Sequence, residues 1–159
     1  MRQKGFTLVE LLVAIGIIGI LSSIAVVSVS NVRAKARDAK RIADVKQVQT
    51  ALESFFNDQN AYPATARAKL GDTPAAVLCG HKGQGNAVVY DFQAAPNGGT
   101  CDTVTYLNPV PKNPTPNGKD YAYAAVGGDS YTLKFSLESG SGTLVAGAYT
   151  ATPNGITKD

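Results

Sequence analysis

Lys4-Gly5-Phe6-Thr7-Leu8-Val9-Glu10-Leu11-Leu12-Val13 organises this chain of 159 residues. A short basic tip, Arg2 and Lys4, meets a Gly–Phe junction, and an apolar run starts there with one acid, Glu10, inside it. No further charged residue appears until Arg33. From Leu11 to Val32 a helix would be about 33 Å long at about 1.5 Å rise per residue. That is enough to cross a hydrocarbon core of about 30 Å. An ordinary secretory signal peptide would have a shorter apolar region followed by a small-residue cleavage site. Here Ser22-Ser23-Ile24-Ala25 is followed by more apolar residues and a helical pattern. A single-pass anchor for an unrelated domain accounts for the hydrophobicity, but it leaves Glu10 as an unexplained intramembrane cost.

These residues resemble the amino-terminal signature of type IV pilins and of the pseudopilins of type II secretion. That pattern is a short basic leader ending in Gly, then Phe, then an apolar helix with Glu at its fifth position. Here it reads Met-Arg-Gln-Lys-Gly, then Phe-Thr-Leu-Val-Glu-Leu-Leu-Val-Ala-Ile, and the match covers roughly the first third of the chain. The resemblance implies an α+β, type IV pilin-like fold. Its long amino-terminal helix, transmembrane then amphipathic, packs on a small antiparallel sheet. It divides the chain into a leader (1–5), a transmembrane and assembly helix (6–32), an amphipathic helix packed on the head (33–57) and a β-rich head (58–159). A prepilin peptidase would cut after Gly5 and methylate the new amino terminus at Phe6. Glu10 would act in assembly. The helix waits as a single-pass precursor in the inner (cytoplasmic) membrane. Pilus assembly machinery then draws it into an extracellular homo-oligomeric helical filament. The implied role is a structural subunit, a major pilin. A type II secretion pseudopilin is the nearer alternative, and a membrane-anchored binding module or enzyme the distant one.

Orientation sets two rules against each other. Arg2 and Lys4 precede the apolar run, while Arg33, Lys35, Arg37, Lys40 and Arg41 follow it. The positive-inside rule alone would place the second cluster in the cytoplasm. The resemblance implies the opposite, with the head outside. The formal charge is +3, and removing Arg2 and Lys4 leaves +3 − 2 = +1. Charge therefore gives no broad case for nucleic acid as a partner.

From Val32 the pattern turns amphipathic. Ala36, Ala39, Ile42, Ala43, Val45, Val48, Leu52, Phe55 and Phe56 recur in steps of three and four, a helical stripe. No Pro or Gly interrupts Leu21 to Phe56, so one helix is expected from about Phe6 to Asn57. Gly16 and Gly19 mark local weakness or close helix approach within it. Relatives loosen the filament helix at this depth, so the resemblance implies melting around Gly16 to Ser23. Ala64 to Leu70 reads as a short helix, broken by Gly71-Asp72-Thr73-Pro74. His81 and the glycine-rich Gly80–Gly85 stretch read as an exposed loop, since no phosphate-loop ending follows. Strands are expected at 87–92, 103–107, 120–126, 130–138 and 143–149, as a meander with short turns. The polar tail from Ala151 reads as a fraying end.

Cys79 and Cys101 enclose a loop of about twenty residues. In an exported head oxidation is permitted, and a bridge across such a loop would contribute roughly 3 kcal/mol. Two unpaired thiols are the alternative. Tyr106-Leu107-Asn108-Pro109-Val110-Pro111-Lys112-Asn113-Pro114 resembles a proline-rich segment of pseudopilins, with Asn113 where Asp is common. The pseudopilin resemblance would also imply calcium in a carboxyl-terminal loop. Calcium takes six to eight oxygens. After Asp129 only Glu138 and Asp159 are acidic, so no metal site is expected. No catalytic constellation and no cofactor motif stands out. The basic residues from Arg33 to Arg41 are expected to solvate the helix, meet headgroups, or pair with Asp38, Asp44 and neighbouring subunits.

Overall fold

The computed structural model describes residues 5–72, 75–82, 88–93, 101, 103–125 and 127–159; the side chains at 24–28, 66, 67, 81, 82, 88 and 89 lie outside the described set. The expected leader lies outside it too, except for Gly5.

One helix, α1, runs from Leu8 to Gln59, about 78 Å at about 1.5 Å per residue. It starts two residues later than the sequence suggests because Thr7 takes an extended conformation and caps it. It ends two residues later because Asn60, at φ 57°, adopts the left-handed cap conformation. The Asn60 N–H donates to the Phe56 carbonyl at 2.7 Å. Asn tolerates that conformation better than most residues.

Eight strands follow: β1 Thr65–Lys69, β2 Val77–Lys82, β3 Val88–Gln93, β4 Thr105–Leu107, β5 Ala122–Ala125, β6 Tyr131–Ser141, β7 Leu144–Thr152 and β8 Gly155–Lys158. They form two antiparallel sheets, ordered β1-β5-β6-β7-β8 and β3-β2-β4. Three expectations change. The segment read as a short helix is β1, paired with β5 through Lys69↔Ala122. The tail read as fraying is β8, held on β7 through Ala151↔Ile156 and Thr150↔Thr157. The stretch read as a loop contributes Gly80, His81 and Lys82 to β2, while 83–87 lie outside the described residues. In each case backbone pairing to a partner strand overrides a weak local preference.

β6 carries the head. Its residues alternate in burial, with Tyr131, Leu133, Phe135 and Leu137 inward. They face Val45, Val48, Leu52 and Phe55 of α1, all buried at helical spacing. Tyr121, Tyr123, Tyr149 and Ala151 complete this core. The smaller sheet covers the helix end through Leu78 and Leu107, and the Phe55 and Tyr106 rings lie 5.0 Å apart. Gly80 sits where an added Cβ would collide with the Tyr90 ring and Thr103, so β3 and the segment before β4 close over it only because it has no side chain.

Among the described side chains, the amino-terminal half of α1 stands exposed in this single chain. Phe6, Leu8, Val9, Leu11, Leu12, Val13, Ile15, Ile17, Ile18, Ile20, Leu21, Val29 and Val32 are all exposed. Among the described residues no helix is long and apolar enough to cross a membrane. The expected span at 6–32 includes residues 24–28, whose side chains lie outside the described set.

Candidate functional site

The free half of α1 begins at a closed cap. The Glu10 N–H donates to Thr7 Oγ1 at 3.3 Å, and the Thr7 N–H donates back to Glu10 Oε2 at 2.8 Å. The Thr7 hydroxyl also donates to Glu10 Oε2, at 2.8 Å. This reciprocal pair satisfies two otherwise orphaned helix donors. In the single chain Glu10 therefore serves its own helix, while Phe6 beside it is 83% exposed. α1 continues unbroken through Gly16 and Gly19, and apart from the adjoining helix backbone and chain neighbours nothing lies within 4 Å of a Cβ built at either. Both glycines leave a bare backbone strip on an otherwise apolar rod.

Where the free half meets the head, the helix is fastened by charge. Arg41 is fully buried. A guanidinium has five N–H donors, and each finds an oxygen here. Nε donates to Asn113 Oδ1 at 2.7 Å. Nη1 meets Asp38 Oδ1 at 2.7 Å and Glu138 Oε1 at 2.6 Å. Nη2 donates to the carbonyls of Pro114 and Asn117. Gly118 lies against this guanidinium so closely that a Cβ there would strike it.

Asp38 is fully buried as well. Its carboxylate accepts the backbone N–H groups of Glu138, Ser139 and Gly140 at 2.9, 2.7 and 2.8 Å. Those donors are free because the β6–β7 register shifts between Leu137 and Gly140. The shift turns on Gly140 at φ 89°, where a Cβ would collide with the Leu144 carbonyl. Such a bulge leaves unpaired donors, and Asp38 collects them. Arg37 adds a two-pronged pair to Glu138, at 2.9 and 2.6 Å.

The electrostatics follow this geometry. Glu138 falls to about 2, chiefly through the Arg37 hydrogen bond, with Asn117 and Arg41 adding to it against some desolvation. Burial pushes the Asp38 carboxyl up, but the three backbone N–H groups and Arg41 together outweigh it and hold it below the usual range. Burial raises Asp44, although the Tyr121 hydroxyl donates to it at 3.0 Å and Lys40 acts in the same lowering direction.

Of the roles expected for the basic residues, solvation, headgroup contact or pairing with Asp38, Asp44 and neighbouring subunits, Arg41 takes the pairing with Asp38, and the structure folds Arg37 and Arg41 into the head. The Asp38–Arg41 spacing of three was a visible local signal. The partner Glu138, about a hundred residues away, was not. The proline-rich segment and the turn after it lend oxygens of Asn113, Pro114 and Asn117 to Arg41. Among the described residues no group of three or more His, Cys, Asp or Glu is arranged to hold a metal ion.

Cys79 and Cys101 are disulfide-bonded, with Cα atoms 5.7 Å apart. The bridge fastens β2 to the segment that leads into β4, so it braces the smaller sheet rather than the apolar arm.

Comparison with known proteins agrees with this arrangement. The family described as the prokaryotic N-terminal methylation motif matches residues 1–26. The type IV major pilin protein PilA of Myxococcus xanthus is 32% identical over 69% of this chain and 46% of its own length. The type II secretion system core protein G of Vibrio cholerae is 28% identical over 89% of this chain and 88% of its own. A fimbrial protein of Pseudomonas aeruginosa is 32% identical over 66% of this chain and 68% of its own. Against several curated relatives the chain spans less than half of their length. No solved structure matches it. A bare apolar helical arm behind a methylation motif, an α+β head fastened to the same helix, and these relatives together establish that the chain belongs to the type IV pilin and type II secretion pseudopilin family.

Proposed function

We propose that this protein is the structural subunit of a type IV pilus-like extracellular filament, assembled through its amino-terminal helix. The observation that carries the reading is the free half of α1. A dozen large apolar side chains among the described residues stand in solvent on a helix that the head grips only further along. Monomeric soluble proteins rarely expose so large an apolar surface. A membrane before assembly and the helices of other subunits afterwards would each cover it.

On this reading residues 1–5 are a leader, 6–32 the membrane and assembly segment, and 33–159 the anchored helix with its head. A prepilin peptidase cuts after Gly5 and methylates Phe6. Pilus assembly machinery then draws the helix out of the cytoplasmic membrane into the filament. Gly16 and Gly19 let the helix loosen as it packs. Cleavage gives Phe6 a free amine one turn from Glu10. In a water-excluding core an unpaired amine or carboxylate would cost several kcal/mol. Glu10 then exchanges its own cap for the amine of a neighbouring copy, and that exchange sets the axial register.

Glu10→Leu tests this. The variant is expected to insert and lose its leader normally, but to give few filaments in a strain carrying only that form. Membrane fractionation, intact mass and electron-microscopic counts read the three steps. Normal filament numbers would leave Glu10 with its capping role alone.

A pseudopilin is the second reading, favoured by the similarity to core protein G along nearly the whole chain. Deletion of the gene separates the two. Loss of surface filaments supports the pilus, and loss of protein secretion without filament loss supports the pseudopilus.

A further inference from the structure

Five cations follow the apolar arm, and the head uses only some of them. Arg37 is held by Glu138, and Arg41 by Asp38 and Glu138. Setting aside these two held cations leaves 5 − 2 = 3 of the five outside the ion pairs. The excess sits on Arg33, Lys35 and Lys40, all exposed. Arg33 and Lys35 have no ion-pair partner among the described residues, and Lys40 acts only on the buried Asp44. Asp38 is the sole acid between Val29 and Lys40, and it is buried.

Position gives this excess a meaning. Lys35 stands about 3 Å and Lys40 about 10 Å beyond Arg33 along the axis, at about 1.5 Å per residue. The Debye length at physiological salt is about 8 Å. Arg33 and Lys35 therefore lie within one screening length of a surface drawn where the apolar side chains stop, at Val32 and Arg33, and Lys40 lies just beyond it, within reach of its long side chain. Lys46, the next free cation, lies about 20 Å beyond Arg33 and would be screened. Flexible basic side chains reach back to such a surface while their stems cover apolar neighbours.

We propose that Arg33, Lys35 and Lys40 form a collar that docks on the anionic headgroups of the membrane leaflet facing the head, and so sets the depth of the unassembled subunit. The inference rests on the membrane-inserted precursor of the preceding section. An acidic face on a neighbouring copy is the competing partner. The lipid surface is favoured because the collar is continuous with the bare apolar helix and encircles it. Arg33 and Lys40 lie within about 20° of each other around the axis, and Lys35 lies on the far side, as 3.6 residues per turn dictates. A neighbouring protein would engage one side, whereas a membrane surface meets both.

The chain contains no tryptophan, so Val29→Trp installs a single depth probe just inside the collar. The full-length variant is reconstituted in vesicles of equal phosphatidylglycerol and phosphatidylcholine, with one or the other lipid brominated. Brominated phosphatidylglycerol is expected to quench the probe about threefold more than brominated phosphatidylcholine. The preference should vanish in 0.5 M salt and when Arg33→Gln, Lys35→Gln and Lys40→Gln are added, with the head's thermal melt unchanged. Equal quenching by both lipids would overturn the collar, and filament loss in the triple variant would then assign the cations to a neighbouring copy. A preference that survives the triple variant would overturn these three residues as its source. No quenching by either lipid would overturn the inserted precursor itself, and the collar with it.

Discussion

α1 is one continuous helix with two fates. From Asp38 to Phe55 it is amphipathic, and every turn sends a side chain into the head. From Leu8 to Ser23 it is apolar on all sides, and the same fold leaves those side chains bare. A helix that is apolar all round has no preferred face to offer a sheet. It needs surroundings on every side, and one small head cannot provide them. The contrast teaches that periodicity, more than total hydrophobicity, decides which half of a helix a domain can hold. It also separates stability from assembly, since the grip on the head and the surface for assembly occupy different turns.

The sharpest way to break this comparison is at the seam. Arg41→Leu would leave Asp38 and Glu138 buried or half-buried without their shared cation. Removing one partner from a buried pair costs about 3–5 kcal/mol. Denaturant unfolding of the detergent-solubilised chain should show a loss of that size. A loss below about 1 kcal/mol would mean that apolar packing alone fastens the helix.

A matched pair of substitutions sharpens it. Leu52 is fully buried, whereas Leu12 is 60% exposed. Leu52→Ala should cost about 2–5 kcal/mol. Leu12→Ala should change head stability by less than about 0.5 kcal/mol. The same unfolding measurement reads both, and equal losses would erase the division between the two halves.

An effect smaller than the losses at Arg41 and Leu52 is expected on pH dependence. Glu138 is held down to about 2 and Asp38 is also lowered, so both stabilise the fold above their ordinary range. That contribution should fade as pH falls from about 5 towards 2, through the folded-state values. Asp44, raised by burial, works with the opposite sign and favours the fold as it becomes protonated. A net drop in Tm on the order of 5 °C across that window is expected from thermal melts. Glu138→Gln should flatten most of it. An unchanged slope in the variant would move the acid sensitivity to other carboxylates.

Much of this architecture was legible in residues close in sequence. The Gly5–Phe6 junction, the lone Glu10 and the apolar run mark the arm without any tertiary information. Val45, Val48, Leu52 and Phe55 announce the packed face by their spacing, and Tyr131 to Leu137 announce β6 by alternation. β1, β2 and β8 carry no comparable local signal, for a common reason. Thr65–Lys69 alternates only with alanine, a small residue of low strand preference, Val77–Lys82 contains Gly80, and Gly155–Lys158 is short. Each is a strand because a partner strand supplies the hydrogen bonds.

What the chain's order of residues determined alone is therefore the set of periodic elements: a long helix in two compositional halves, and a run of alternating strands. These follow from local geometry, since 3.6 residues per turn and alternation across a strand convert spacing directly into faces. What only the tertiary structure decided is which charges are spent. Arg33, Lys35, Arg37, Lys40 and Arg41 look alike in a line of text. Folding brings Glu138 and the Gly140 bulge, about a hundred residues on, against Arg37, Asp38 and Arg41, and leaves the other three cations outside. Coulomb attraction and hydrogen bonding act over a few ångströms of space, whatever the separation along the chain.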